Sequence, residues 1–494
     1  MQLITLGNDF KYELEKLCRL FVPFDKFTFS SDADSLSPDD DYAICSCSNI
    51  GDNVELLVEL SAFGRKTKRV KTIEGSSPEI EALKERELAL LLFFCFEELT
   101  GYRSPWGILT GVRPAKLIGR LINLDDEKTA VDYFKSVLLV SDKKTDLCLE
   151  CYKKEEEIIK ASKPNSFSLY ISIPFCPSRC NYCSFVSHSV EKAKKLIPEY
   201  VEHLCKELSY TGKIAKECDL ELETIYIGGG TPTTLSAEQL ERIMDTVKQN
   251  FDISKISEFT VEAGRPDTVT KEKLIAIKNG GATRISINPQ TMNDEVLRTI
   301  GRRHTVEDTI NAFELARECG FDNINMDLIA GLEGDTFESF KSTVDRLIEL
   351  SPENITVHSL SMKRASNLNG AGKVFDRKLG MDAEQMVDYA YTKLSENGIR
   401  PYYMYRQSKT IGNLENVGYS KEGYEGAYNV YIMDETHTIL ACGASAVTKL
   451  REPNGPNIER IFNFKYPYEY ISQFDTILER KSKVVEFYSK LSNG

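Results

Sequence analysis

The chain has 494 residues, 62 Lys plus Arg against 75 Asp plus Glu, and a net charge of −13, a length that gives two or three domains and room for a large core. The acidic balance excludes nonspecific binding to nucleic acid or to an anionic membrane, both of which need a basic surface. The longest apolar run, "LALLLFFCF" at 88–96, is about half of the ~18 residues that span a bilayer, and no basic-plus-apolar signal opens the chain. The 13 cysteines are then those of a reducing, cytoplasmic compartment and not of a disulfide framework.

Residues 1–160 read as an α/β domain to which the sequence assigns no chemistry. "DYAICSC" and "VELLVEL" are expected to pair as strands, with Cys45 and Cys47 on one face as small core thiols. Ser77 and Pro78 look like the cap and first turn of a long helix that runs to Gly101. "SPWGILTGVRPAKLIGR" holds the single tryptophan, Trp106, a candidate for docking this domain onto the next one. "KASKPNSFS", at 160–168, reads as a linker.

From residue 168 onward short β-branched runs alternate with amphipathic helical stretches: "SLYISI", "ETIYIGGG", "EFTVEAG", "TRISINPQ", "NINMDLIAGL" and "ITVHSL". Six strand–helix repeats imply a parallel sheet, and they fit a partial (β/α)6 barrel over residues 165–375. In "LSAEQLERIMDTVKQNF", Ser236 and Gln239 form a capping-box pair, and Gly320 ends the helix of "NAFELARECGF". The unusual residues all follow strand ends, where a barrel carries its site. The loop after the second strand, Gly228 to Pro232, lacks the Gly-Lys-Ser/Thr of a phosphate-binding loop and reads either as a close approach to a ligand or as a tight turn.

The first strand leads into "YISIPFCPSRCNYCSF", residues 170–185, with Cys176, Cys180 and Cys183 at C-x3-C-x2-C spacing. Independent placement of cysteines gives this pattern about 0.01 times per chain. Structural zinc takes four ligands, and the available second pair, Cys148 and Cys151, falls in a charged helical stretch. Three thiolates suit a cubane iron–sulfur cluster whose fourth iron is open to an outside ligand. The five histidines show no paired ligand spacing, which argues against a histidine metal centre; His188 reads as an exposed loop residue.

These residues resemble the radical S-adenosylmethionine (SAM) enzymes and, more narrowly, the oxygen-independent coproporphyrinogen III oxidase branch, over roughly residues 165–450. "MYRQ" and "GNLENVGYS" are similar to its long-chain type. Two positions depart from the branch: Ser172 stands where it often has His, and Phe185 where its best-known members have a fourth Cys. The resemblance implies that Cys176, Cys180 and Cys183 hold a [4Fe-4S] cluster. It also implies that Tyr170, Gly229, Gly230, Thr231, Glu262, Gln290, Arg302 and Asp327 contact SAM, Glu262 through the ribose hydroxyls and Arg302 or Arg303 through the methionine carboxylate.

What the resemblance implies of activity is reductive cleavage of SAM and abstraction of hydrogen from a propionate of a tetrapyrrole, coproporphyrinogen III. Loss of carbon dioxide and one electron then leaves a vinyl group, as in heme biosynthesis. A low-potential donor of flavodoxin or ferredoxin type and an electron acceptor are the implied partners. Residues 376–494 form a smaller C-terminal region, where the tyrosines of "RPYYMYRQSKTIGNLENVGYSKEGYEGAYNVYI", with Arg406 and Lys409, either shape the substrate side or pack on the barrel. "ILACGASAVTKL" reads as a strand turning through Gly443. Because of Ser172 and Phe185, a heme-binding chaperone and another radical SAM reaction on a tetrapyrrole stay open as alternatives.

Overall fold

The computed structural model describes residues 1–23, 25–32, 36, 40–183, 187–361, 377–407, 410–453 and 455–492. The expected boundary at 375–376, Phe185 and Lys409 lie outside the described residues. Two compact units emerge: one holds Met1–Leu149 and later returns that include Arg406–Leu414, and the other holds most of the chain from Glu150.

In the first unit, strands β1 (Gln2–Leu6), β2 (Thr28–Ser30), β3 (Tyr42–Ile50), β4 (Asn53–Ala62) and β5 (Arg65–Glu74) form a sheet in the order β2-β1-β3-β4-β5. Strands β3, β4 and β5 are an antiparallel meander. Phe63 and Gly64 join β4 to β5 with φ of 57° and 70°, the two left-handed residues that a tight hairpin needs to match strand twist. Alternation puts Ala43, Cys45, Val54, Leu56, Val58 and Leu60 on one face, where they are buried with Leu88, Leu92 and Phe96 of the helix Ile80–Thr100. Cys45 and Cys47 share that face, as expected of core thiols. The helix starts at Ile80, not at Ser77–Pro78, because Ser77 O accepts from Ile80 N in a turn before it; Gly101 ends it at φ 64°. Trp106 is fully buried, with the Arg406 guanidinium 4.9 Å from its ring centroid.

The linker expected at 160–168 is mostly regular structure: the helix Asp142–Ala161 reaches into it, and β6 (Ser166–Ile173) begins within it. Next come the two-residue strands β7 (Phe175–Cys176) and β8 (His188–Ser189), then β9 (Glu221–Gly229), β10 (Glu258–Glu262), β11 (Arg284–Ser286), β12 (Ile324–Ala330) and β13 (Asn354–Ser359). After them run β14 (Arg400–Arg406), β15 (Glu415–Ser420), β16 (Thr438–Cys442), β17 (Val447–Arg451) and β18 (Ile458–Phe462). One sheet has the order β14-β15-β13-β12-β11-β10-β9-β6-β16-β17-β18. Its six central strands, β6 and β9–β13, are parallel and form the partial barrel. The helix Ala237–Asn250 carries the Ser236–Gln239 capping box, Gly320 follows the helix Val306–Glu318 at φ 86°, and the strand of "ILACG" turns at Gly443 into its antiparallel partner.

Side chains alternate along these strands, apart from a bulge at Glu223 where the β6–β9 register shifts. Leu169, Ile171, Ile225, Ile227, Phe259, Val261, Ile285, Met326, Leu328, Ile355 and Val357 are buried on the helix-covered face, where Phe167 meets Phe251 at a helix end. The opposite parity is polar and hydrogen-bonds across strands: Thr224 Oγ1 to Ser168 Oγ at 2.8 Å, Asn325 Nδ2 to Ser286 Oγ at 2.7 Å and Thr356 Oγ1 to Asn325 Oδ1 at 3.0 Å. The helix Ala427–Asp434 plugs the end where the strands begin. Its Tyr428 stacks on Tyr226 at 4.5 Å and on Tyr170 at 6.4 Å, and Tyr428 N donates to Glu258 Oε2 at 3.1 Å.

A buried charge ties the last segment to the barrel. Glu207, on the helix Ile197–Glu217, accepts from Gly443 N at 2.7 Å, Asn463 Nδ2 at 2.8 Å and Tyr470 Oη at 2.6 Å, and pairs with Lys481 Nζ at 3.1 Å. Among the described residues no helix is long and apolar enough to cross a membrane.

Two outcomes follow for stability. Glu207→Ala leaves the Lys481 ammonium buried and unpaired and is expected to cost about 3–5 kcal/mol in urea unfolding, whereas Glu207→Ala combined with Lys481→Met recovers part of that loss. His437, between Ser162 Oγ at 2.6 Å and Ser168 Oγ at 3.0 Å, is held down to about 4 by burial. The unfolded chain takes up that proton below pH ~6.5, so this contribution is complete above it and is lost as pH falls toward 4. The wild type should lose about 2 kcal/mol more than His437→Asn between pH 7 and pH 5, read as the difference between their urea midpoints.

Candidate functional site

The site is built at the ends of the parallel strands, beginning with the loop after β6. Cys176 and Cys183 are half-buried and Cys180 is buried. Cys183 N closes a turn on Cys180 O at 3.2 Å, while Asn181 N and Nδ2 bond Ile300 O and Thr299 O at 3.1 and 3.0 Å. The glycine loop after β9 presses on this segment: Gly230 N donates to Ile173 O at 2.8 Å and Thr231 N to Phe175 O at 2.7 Å. A Cβ on Gly230 would sit 2.6 Å from Phe175 O and 3.0 Å from Cys176 Sγ, and Gly229 holds φ at 107°. Glycine is therefore required here because two backbones touch.

Two of the sulfurs have donors. Thr231 Oγ1 lies 3.5 Å from Cys176 Sγ, and Arg265 Nη1 lies 3.6 Å from Cys180 Sγ. Among the described residues no three His, Cys, Asp or Glu side chains are grouped as around a metal ion. The donor set still fits a thiolate-held cluster chemically: three cysteines lie on one short loop, and two of them receive hydrogen bonds suited to sulfur anions.

Inside the mouth, Glu262 at the end of β10 accepts from Tyr226 Oη and, at 3.0 Å, from Asn288 Nδ2. Burial, then the neighbouring Asp327, pushes its carboxyl up to about 7. Asp327, inward on β12, is also raised by burial, but hydrogen bonding and charge from His358, with Asn325 Nδ2 at 2.8 Å, outweigh this and hold it below the usual range. Two carboxyls in one low-dielectric space are thus driven apart in acidity by their partners. Gln290, at φ 70°, donates its backbone N–H to Asp327 O at 2.9 Å and accepts from Ile329 N at 3.0 Å. Arg302 is buried, with Nε and Nη2 on Tyr182 Oη at 3.2 and 2.8 Å and Nη1 on Gly264 O at 3.0 Å. Arg303 is exposed and 3.8 Å from Glu191.

The structure thus brings Gly230 and Thr231 against Cys176, with Gly229 against Ser172 and Ile173, and points Glu262 and Asp327 into one electrostatic environment across β11, with Gln290 bridging to β12. Tyr170 lies deeper, its ring 6.3 Å from that of Tyr226. Sequence reading missed Tyr226, Asn288, Tyr182, His358, Arg265 and Asp267. Tyr226 and Asn288 had a usable signal, since Tyr226 stands on the inward parity of β9 and Asn288, two residues past the end of β11, continues the parity of Arg284 and Ser286. His188 is not an exposed loop residue: it pairs with Phe175, is partly buried, and its ring stands edge-on to Tyr466 at 5.7 Å. Of the aromatic stretch, Tyr402, Tyr403, Tyr419, Tyr428 and Tyr431 are buried, which is the packing alternative for those five. Arg406 is buried as well, with Nη1 on Leu109 O at 2.7 Å and Nη2 on Asn413 O at 3.0 Å.

The radical SAM superfamily model matches residues 170–347. A Bacillus subtilis protein named oxygen-independent coproporphyrinogen-III oxidase-like protein HemZ is 36% identical over 449 residues, 89% of each chain. The heme chaperone HemW of the same organism is 36% identical over 282 residues, 56% of this chain and 70% of its own. Among solved structures, the Escherichia coli coproporphyrinogen III oxidase HemN, described as a radical SAM enzyme, superposes with a TM-score of 0.50 at 23% identity, covering 65% of this chain and 71% of that one. Membership of the superfamily implies SAM and a [4Fe-4S] cluster as cofactors. With nearly the whole length of HemZ matched, the chain belongs to the oxygen-independent coproporphyrinogen-III oxidase-like family of the radical SAM superfamily.

Proposed function

We propose that this protein is a cytoplasmic radical SAM enzyme that decarboxylates the propionates of coproporphyrinogen III to vinyl groups without oxygen, giving protoporphyrinogen IX for heme synthesis. The observation that carries the reading is the meeting, at one barrel mouth, of a three-cysteine loop in which Cys176 and Cys180 receive hydrogen bonds with a half-buried carboxyl acceptor, Glu262. Similarity to HemZ over 89% of the chain supports the choice of substrate.

In this reading Cys176, Cys180 and Cys183 hold three irons of the cluster. The cluster and SAM together supply a 5′-deoxyadenosyl radical able to take hydrogen from a propionate. Glu262, oriented by Tyr226 and Asn288, accepts from the ribose hydroxyls; Tyr170, Gly229, Gly230, Thr231, Gln290 and Asp327 complete the SAM pocket. Arg302 places a permanent positive charge beside Tyr182, next to the cysteines, where it balances a carboxylate. The helix Ala427–Asp434, stacked through Tyr428 on Tyr226, closes the barrel from beneath and keeps bulk water from the site on that side. Each propionate loses one hydrogen atom, carbon dioxide and one electron, so a low-potential flavodoxin- or ferredoxin-type donor and a separate acceptor are the required partners. The 36% identity to HemW over 282 residues favours one second reading, a heme chaperone.

The test is anaerobic reconstitution with iron and sulfide, then incubation with dithionite, SAM and coproporphyrinogen III. Substrate-dependent 5′-deoxyadenosine together with protoporphyrinogen IX is expected; stoichiometric heme binding with no decarboxylated product overturns the enzyme in favour of the chaperone. Single Cys176→Ala, Cys180→Ala and Cys183→Ala proteins should each lose the cluster absorption and its iron. Glu262→Ala should keep the iron but bind SAM about 10- to 100-fold more weakly by equilibrium dialysis, the loss of hydrogen bonds to a charged group at about 1.5–3 kcal/mol.

A further inference from the structure

We propose that Arg265, neutralised in part by Asp267, sets the reduction potential of the cluster through the sulfur of Cys180. The inference rests on the cluster assignment above and adds to it a positioning residue outside the SAM contacts.

Arg265 follows Gly264 in the short loop after β10, and its backbone is fixed there by Thr268, whose N and Oγ1 both donate to Arg265 O at 2.9 and 2.8 Å. Its side chain is 4% exposed. Nε and Nη2 meet the two oxygens of Asp267 at 3.0 Å each, a two-pronged pair that fixes the plane of the guanidinium. The remaining nitrogen, Nη1, is aimed at the cysteine loop, 3.2 Å from Ser178 Oγ and 3.6 Å from Cys180 Sγ. Cys176, by contrast, receives the neutral hydroxyl of Thr231 at 3.5 Å. Cys176 and Cys180 therefore have unequal donors, one neutral and one charged.

Potentials of such clusters depend on hydrogen bonds to the sulfurs, net nearby charge and solvent exposure. A guanidinium that donates to Cys180 Sγ stabilises the electron added on reduction and so raises the potential. The low local dielectric makes that effect larger than it is in water. Asp267 works against it: its negative charge, on the far side of the same guanidinium, offsets part of the cation. His304, with Nδ1 3.9 Å from Asp267 Oδ1, is buried at the outer end of this row. The chain of contacts is then Cys180, Arg265, Asp267, His304, and it gives two substitutions of opposite electrostatic sign at one ion pair.

The experiment uses full-length protein reconstituted anaerobically, with iron and sulfide counted and the reduced cluster followed by EPR in a redox titration. Arg265→Gln is expected to lower the reduced-to-oxidised ratio about tenfold at the wild-type midpoint, equivalent to 59 mV for a one-electron couple. Asp267→Asn, close to isosteric, should raise the same ratio, and Arg265→Lys should fall between wild type and Arg265→Gln. Iron-loaded variants that titrate with the wild type overturn the proposal, as do two shifts of the same sign, which is what a merely structural disturbance produces. A wild-type protein that takes up no cluster overturns the cluster assignment along with it; a wild-type cluster whose potential ignores both substitutions overturns this inference alone.

Discussion

Polar side chains on the inward parity of the parallel strands are the constraint around which the rest of the second unit is arranged. A barrel core filled by branched apolar residues needs no partners inside it, whereas Ser168, Thr224, Glu258, Thr260, Arg284, Ser286, Asn325 and Thr356 each need hydrogen bonds when buried. The strands supply several of these bonds to one another across the sheet, Arg284 is held by its ion pair with Glu258 at 3.7 Å, and the helix Ala427–Asp434 caps them from beneath. Gly426 shows how tight that cap is, since a Cβ there would lie 1.9 Å from Arg284 Nη1. Packing of the helices against the outer face supplies the hydrophobic stabilisation, so the inner face is free to carry chemistry.

That division explains why so much of the barrel was legible in the sequence. Six strands can be read from "SLYISI" to "ITVHSL" because each presents apolar residues at alternate positions, and helix limits such as Ser236 and Gly320 follow from local hydrogen bonding alone. Cys176, Cys180 and Cys183 were visible because their spacing is local. What could not be read are partners far apart in the chain. Glu262 is a bare carboxylate in the sequence, yet its acidity depends on Asp327 and its orientation on Tyr226 and Asn288. The start of the helix Ile80–Thr100 and the extent of the 160–168 connection were misjudged for a related reason: Ser, Pro and Asn mark turns, but packing decides how far the neighbouring elements reach into them.

The glycines at the end of β9 show how one local signal can support two explanations. Three successive glycines suggest room for a ligand, and the geometry adds a more immediate demand. Gly229 and Gly230 lie so close to Ser172, Ile173 and Phe175 that any side chain on them would displace the segment bearing Cys176. The close approach therefore serves the cysteine loop first, and any ligand that uses the same backbone does so on a surface already fixed by strand-to-strand contact.

Arginines divide the labour around that loop. Arg302 is bound to Tyr182, between Cys180 and Cys183, and to Gly264 O, immediately before Arg265 in the chain. Arg265 in turn reaches Ser178 and Cys180. Two buried guanidinium groups thus hold the loop from neighbouring positions, one through a tyrosine hydroxyl and one through the sulfur and serine. Guanidinium stays charged when buried and presents its donors in a rigid plane, so it can fix a loop that has little regular structure. Lysine would bring one point charge and no fixed plane. In a chain of net charge −13, the buried positive groups at the cysteine loop run against the overall balance, and they lie where a family member must accommodate anionic sulfur and a carboxylate-bearing cofactor.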